Sequence, residues 1–134
     1  MTTDTTQKPK ALLVDDDKFL LGLYAKKFQE QGYEVDSVAE STVALKKIED
    51  GARPDLCVFD VLMPGIDGLE LVEKIREKNL LPQGVIVILS NNDKKEDIER
   101  AKKLHVNGYI VKATSIPSEV VAQVNEIFKG AQKK

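Results

Sequence analysis

Asp55-Leu56-Cys57-Val58-Phe59-Asp60-Val61-Leu62-Met63-Pro64-Gly65-Ile66-Asp67-Gly68 is the stretch from which the rest of the chain can be read. Leu56, Val58 and Phe59 do not alternate with polar residues, so Asp55 to Asp60 reads as a strand covered on both faces, as parallel strands usually are. The run stops at a carboxylate, Asp60, and turn chemistry follows in Pro64 and Gly65. Asp67 with Glu70 three residues later forms a capping box. It opens a helix in which Leu69, Val72 and Ile75 return on one face and which should end near Asn79. The stretch is therefore a strand, a turn and a helix, with an acidic group left at the strand's carboxyl end.

The same alternation continues in both directions. Toward the amino terminus, Ala11 to Val14 is a strand, Asp17 to Gln31 a helix stopped by Gly32, Tyr33 to Val38 a strand, and Ser41 to Glu49 a helix ending at Gly51. Toward the carboxyl terminus, Val85 to Leu89 is the most strand-like run in the chain. Asp93 with Glu96 offers a second capping box, for a helix through Ile98, Ala101 and Leu104. Asn107 to Val111 is a fifth strand, and Ser115 with Pro117 starts a last helix through Val120, Val124 and Ile127 to Phe128. Five strands alternating with five helices predict an α/β fold: a parallel sheet with right-handed crossovers, helices on both faces, and strand order 2-1-3-4-5. Residues 1–9 read as a disordered polar leader, 10–129 as one domain and 130–134 as a tail. In such sheets ligands bind at the carboxyl ends of the strands.

A chain of 134 residues can bury roughly two-thirds of its unfolded surface in one core. Its formal charge of -2 argues against direct nucleic-acid binding or a polybasic membrane contact. Val85 to Leu89, among the longest apolar runs, is far short of the ~20 residues of a spanning helix, and Met1 to Lys10 lacks the apolar centre of a signal peptide. A cytoplasmic protein without membrane contact is the expectation. Cys57 has no partner for an internal disulfide and lies in an apolar run, so it reads as packing.

Four strand ends carry groups suited to phosphate chemistry: Asp15 and Asp16 after the first, Asp60 after the third, Ser90 after the fourth and Lys112 after the fifth. Two negative charges ~5 Å apart at an effective dielectric of ~20 repel by roughly 3 kcal/mol, so three carboxylates on one rim call for a compensating cation. Mg2+ suits the need, because it takes oxygen ligands and requires only one or two direct carboxylates. Asp and Ser after strands are also ordinary turn formers and helix caps. Asp17 reads as a cap only, whereas Asp15 and Asp16 taken singly fit either role. Asp60 fits capping less well, since Asp67 already caps the next helix. Lys112 alone would be an ordinary exposed lysine. His105 and the run Lys94-Lys95-Glu96-Asp97 read as surface.

Leu12-Leu13-Val14-Asp15-Asp16-Asp17, Phe59-Asp60-Val61-Leu62-Met63-Pro64-Gly65-Ile66-Asp67-Gly68 and Gly108-Tyr109-Ile110-Val111-Lys112 resemble the three signature segments of response-regulator receiver domains. The resemblance spans residues 10–129 and implies a flavodoxin-like, doubly wound three-layer sandwich. It implies Asp60 as phosphoacceptor. Asp16 would be a direct Mg2+ ligand, Asp15 a ligand through water, and the backbone carbonyl of Leu62 the third protein ligand. Lys112 and Ser90 would bind phosphoryl oxygens, with Tyr109 as the aromatic switch. The partners implied are a sensor histidine kinase or histidine phosphotransfer protein, and an output protein or domain that the sequence does not identify. The chain would then be a self-modifying switch rather than a turnover enzyme.

Two positions depart from the family pattern: Ala113 stands where proline is usual, and Asn91 where a small residue is usual. They leave room for a receiver-like module that binds partners without phosphorylation. Asp15 and Asp17 also match the start of haloacid-dehalogenase-like phosphatases, although Phe19 replaces the usual Thr or Val. A flavin-binding module on this fold would need a Ser/Thr-rich loop after the first strand, which is missing.

Overall fold

The computed structural model describes residues 8–91, 93–112 and 116–132. Its elements alternate as β1 (Lys10–Val14), α1 (Lys18–Glu30), β2 (Glu34–Val38), α2 (Ser41–Glu49), β3 (Leu56–Asp60), α3 (Gly68–Glu77), β4 (Val85–Ser90), α4 (Lys95–Lys103), β5 (Gly108–Val111) and α5 (Pro117–Gln132). The strands form one sheet in the order β2-β1-β3-β4-β5, with every neighbouring pair parallel. Each strand end lies within a residue of the position read from the sequence.

The period-2 geometry of the strands divides the core into two layers. Ala11, Leu13, Leu56, Val58, Val85, Val87 and Leu89 face α1 and α5, where Leu21, Tyr24, Phe28, Val120, Val124 and Phe128 cover them. Leu12, Val14, Cys57, Phe59, Ile86 and Ile88 face the other way, under Ala44, Ile48, Leu69, Val72, Ile75 and Ala101 of α2, α3 and α4. Every residue of β3 and β4 is buried, as the unbroken apolar runs require. Cys57 is wholly buried and its thiol is pushed well above the usual range by desolvation, so packing is its role.

Local signals explain most boundaries. Asp17 caps α1, its carboxylate accepting from the amides of Phe19 and Leu20, both at 3.1 Å. Gly32 ends that helix with a φ of 98°, a backbone that glycine adopts without strain. The Asp67–Glu70 capping box forms in full, with bonds of 2.8 and 3.1 Å. Tyr33 precedes β2 instead of opening it. Its ring centroid lies 5.4 Å from that of Phe28 and 5.5 Å from that of Phe128, and its hydroxyl donates to Asn125 at 2.7 Å.

Two expectations are corrected. The Asp93–Glu96 box does not form: Lys94 is the N-cap of α4 and makes no side-chain cap bond. The helix starts too late for the box, which leaves Asp93 before the cap and Glu96 at the second helical position instead of the third. Glu96 and Asp97 still place negative charge at the positive end of the helix dipole. The tail expected at 130–134 is helical through Gln132, because Ala131 packs against the α1–α5 layer. The leader expected at 1–9 falls mostly outside the described residues; Pro9 within it accepts a bond from Glu34 N at 2.9 Å. No helix among the described residues is long and apolar enough to cross a membrane.

Candidate metal and phosphoryl site

All five strands deliver their carboxyl ends to one rim, and there the chain gathers three carboxylates and one ammonium. Asp15 follows β1 directly and is held by its own backbone, N–H to Val38 O at 3.2 Å. It is 3% exposed. One of its carboxylate oxygens accepts from Asp17 N at 2.9 Å, while the other lies 3.2 Å from Lys112 Nζ. Asp60, the last residue of β3 and 4% exposed, lies 2.8 Å from the same nitrogen. Asp16 is exposed at the mouth. Ligand oxygens of Asp15, Asp16 and Asp60 all fall within 4.8 Å of one another.

This geometry resolves the capping question. Asp17 alone caps α1, Asp15 closes the turn and turns its second oxygen toward Lys112, and Asp16 joins the cluster. Asp15 and Asp17 are not brought together as a pair of catalytic carboxylates, because Asp17 is bonded to helix amides. Lys112 is a buried counter-ion, and the reading of it as an ordinary exposed lysine does not hold.

The charges remain unbalanced. Burial pushes the Asp60 carboxyl up to about 6; the hydrogen bond from Lys112 opposes this, and the charges of Asp15 and Asp16 add to it. Burial alone would lower Lys112, but its hydrogen bonds and ion pairs with Asp60 and Asp15 outweigh it and hold the ammonium above its usual range. Lys112 thus pairs with two of the three carboxylates, and a hard divalent cation fits the remaining demand: all-oxygen donors, clustered, with one of the three open to water.

Two glycine and backbone details place Asp60. The amide of Val61 donates to Leu89 O at 3.0 Å and the amide of Gly68 to Val61 O at 2.9 Å, so the chain leaves β3 and returns to the same point to start α3. A Cβ on Gly68 would sit 2.2 Å from the carbonyl oxygen of Asp60. In the sequence Gly68 stands out only as part of a motif. Its steric role shows only once α3 is seen to begin against the end of β3.

Ser90 ends β4 and is buried; Tyr109, in β5, is half-buried on the same face of the sheet. The two hydroxyls are hydrogen-bonded. Burial pushes the Tyr109 phenol up, the Ser90 bond works against it, and the charges of Asp97 and Asp93 add to it. The predicted switch pair is therefore in contact, beside the first turn of α4. Leu62 lies two residues past Asp60 and is 62% exposed, and Phe19, early in α1, is 76% exposed. Asn91 is exposed just after β4, and Ala113 lies outside the described residues. His105 is exposed, as expected, but its backbone carbonyl accepts from Arg76 at 3.1 Å, a contact no sequence signal announced.

Comparison with known proteins identifies the family of the chain. Residues 11–125 match the family model of the response regulator receiver domain. The chain is 32% identical over 123 residues to the alkaline phosphatase synthesis transcriptional regulatory protein PhoP of Bacillus subtilis, covering 92% of this chain and 50% of the relative. It is 34% identical over 128 residues to the nitrate/nitrite response regulator protein NarL of Escherichia coli K12, covering 94% and 58%. The chain thus spans about half the length of these curated relatives. Among solved structures, a CheY-like response regulator receiver domain protein of Methanospirillum hungatei superposes with a TM-score of 0.84 at 25% identity, covering 95% of this chain and 98% of that one. The chemotaxis protein CheY4 of Vibrio cholerae does so with a TM-score of 0.80 at 27% identity, covering 90% and 99%.

Proposed function

Since the chain belongs to the response-regulator receiver family, we propose that it acts as a phosphorylation switch whose acceptor is Asp60, with Mg2+ as cofactor. The observation that carries this reading is the buried Asp60 carboxylate, 2.8 Å from Lys112 and clustered with Asp15 and Asp16. An oxygen of ionised Asp60 attacks the phosphorus of a phosphohistidine, the P–N bond breaks, and its electron pair returns to the imidazole. Asp15, Asp16, Asp60 and the Leu62 carbonyl would hold Mg2+, which when bound neutralises charge on the transferring phosphoryl group. Lys112 holds one phosphoryl oxygen, and the Ser90 hydroxyl turns from Tyr109 to donate to another. Water later cleaves the acyl phosphate, so the reaction resets the switch. With a carboxyl near pH 6, Asp60 is largely ionised at neutral pH.

The donor is a histidine kinase or histidine phosphotransfer protein. Because Asp60 is buried, such a donor must press on the rim, where Phe19 and Leu62 offer apolar contact. The name of the PhoP relative assigns transcriptional regulation to a protein about twice this length. The proposal of no direct nucleic-acid contact concerns these 134 residues and rests on their charge of -2. A cytoplasmic setting goes with a kinase partner of this kind.

Incubation with acetyl phosphate and Mg2+, followed by intact mass and peptide mapping, tests the reading. One phosphoryl group per chain on Asp60, lost in Asp60→Asn, is expected. A group mapped to Asp15 or Asp17 would favour phosphatase-like chemistry. No modification at all would leave the phosphorylation-independent module suggested by Ala113 and Asn91.

A further inference from the structure

The backbone after Asp60 runs through residues 61–67 before α3 begins, and its two ends are fixed by the bonds of Val61 and Gly68 described above. Between them, among the described residues, a single hydrogen bond ties 62–66 to another element. The Ser41 hydroxyl donates to Ile66 O at 2.6 Å, across 25 positions of sequence. Ser41 is the first residue of α2 and is 1% exposed. A serine at a helix start commonly turns its oxygen back to the helix's own amides. Here the N-cap of α2 is Glu40, which makes no side-chain cap bond, and the Ser41 hydroxyl is directed out of the helix. A hydroxyl this deeply buried is costly without its partner, so the bond sets the place of Ile66 relative to α2.

We infer that Ser41 is a positioning residue for the cation site, fixing the loop after Asp60 whose Leu62 carbonyl the proposed function assigns to the cation. The inference rests on the metal reading of Asp15, Asp16 and Asp60 given above. Leu62 and Ile66 share a short segment whose ends are already clamped, so releasing Ile66 frees the whole loop to rotate its carbonyls. Rotation of the Leu62 carbonyl away from the rim removes an oxygen from the ligand set. Ser41 touches no ligand and acts only through the loop.

Mg2+ titration of the full chain, followed by the amide NMR signals of Asp60 and Leu62, tests this. Ser41→Ala should weaken Mg2+ binding about tenfold, the lower range for partners that orient a metal's ligands. It should also shift the amides of residues 62–66 without metal. Ser41→Cys keeps the volume with a weaker donor. It should lose several-fold and serves if the alanine variant folds poorly. Ile48→Val truncates the buried face of the same helix without touching the loop bond, so it should keep the parent's affinity within twofold. If the parent shows no Mg2+ response, the metal reading fails and the inference with it. If the parent binds and the Ser41 variants bind equally well, the metal reading stands and the role of Ser41 is overturned. Equal weakening in Ile48→Val would also overturn it, since general loosening of α2 would then suffice.

Discussion

The corner between β3 and α3 and the helix α4 flank the same rim, yet they are built in opposite ways. At the corner, β3 is wholly buried, α3 starts against the Asp60 carbonyl with no room for a side chain, and a full capping box closes the helix end. In α4 Ala101 is the one fully buried residue, and the N-terminus has no side-chain cap. What fixes α4 is its far end: the Arg76 guanidinium donates to Leu104 O at 3.0 Å and to His105 O at 3.1 Å, and Asn107 exchanges bonds of 2.7 and 2.9 Å with Ile86. The corner therefore holds the groups that need fixed geometry. The first turn of α4, near the Ser90–Tyr109 pair, has no side-chain cap and no buried residue, the features of a segment of low local stability. A phosphorylation switch requires this division, since a small displacement at the acceptor must bias an element with two accessible positions.

The largest expected effect tests the rigid half. Gly68→Ala drives a methyl to 2.2 Å from a backbone oxygen, and no side chain can yield to relieve it. Either β3 or α3 must shift, at a cost of about 3 kcal/mol in unfolding free energy. Chemical denaturation measures this, and acetyl phosphate labelling should fall with it. A variant within 0.5 kcal/mol of the parent, on the order of a surface change, would show the corner to be as yielding as α4.

A smaller effect, of opposite sign, comes from the acidic cluster. Because burial raises Asp60 from 3.8 to about 6, the folded state binds more protons than the unfolded state between those values. Without metal, stability should therefore rise as pH falls from about 6 toward 4. For the same reason Asp60→Asn should stabilise the metal-free fold at pH 7 by about 2 kcal/mol. Asp16→Asn, at the exposed mouth, should do so by about 1 kcal/mol after screening. Mg2+ should raise the melting temperature of the parent and much less that of either variant, since only a site present in the folded state gives linkage stabilisation. If metal-free Asp16→Asn melts below the parent with an unchanged Mg2+ response, Asp16 supports the turn and is no ligand.

How far the sequence could be read follows the same contrast. The strands were legible because Leu56, Val58, Phe59 and the run Val85 to Leu89 are apolar without alternation, and only a sheet covered on both faces accommodates that. Asp67 and Glu70 announced the start of α3 because the capping box is a local signal. In α4 an identical local signal, Asp93 and Glu96, failed by one residue: few core contacts fix that end, so nothing enforced the box register. At the site, strand-end chemistry identified Asp15, Asp16, Asp60 and Lys112 as neighbours, since parallel strands bring their ends together, and it set Ser90 at the end of the adjoining strand. Ser41, Gly68 and Arg76 were not legible in their roles. Each acts on the backbone of another element, and no local propensity encodes such a contact.

The smallest effect sharpens the comparison at the two helix ends. α3 and α4 both end in a left-handed residue, Asn79 with φ 51° after α3 and His105 with φ 59° after α4. Asparagine tolerates that conformation, whereas histidine brings a Cβ into conflict with its own carbonyl, a cost of roughly 1 kcal/mol that glycine avoids. His105→Gly should therefore stabilise the protein by about 0.5–1 kcal/mol, and Asn79→Gly by less, after allowing for the greater entropy glycine gives the unfolded chain. The His105 side chain is exposed and makes no hydrogen bond among the described residues, so its loss removes nothing that offsets the gain. The carbonyl that receives Arg76 belongs to the backbone and persists in the variant. Denaturation should show the gain, and hydrogen exchange should show whether it reaches the amides of α4. Slower exchange along the whole helix would mean that its anchored end controls its motion. Slower exchange only at residues 101–106 would leave the first turn, beside Tyr109, independent of the anchor.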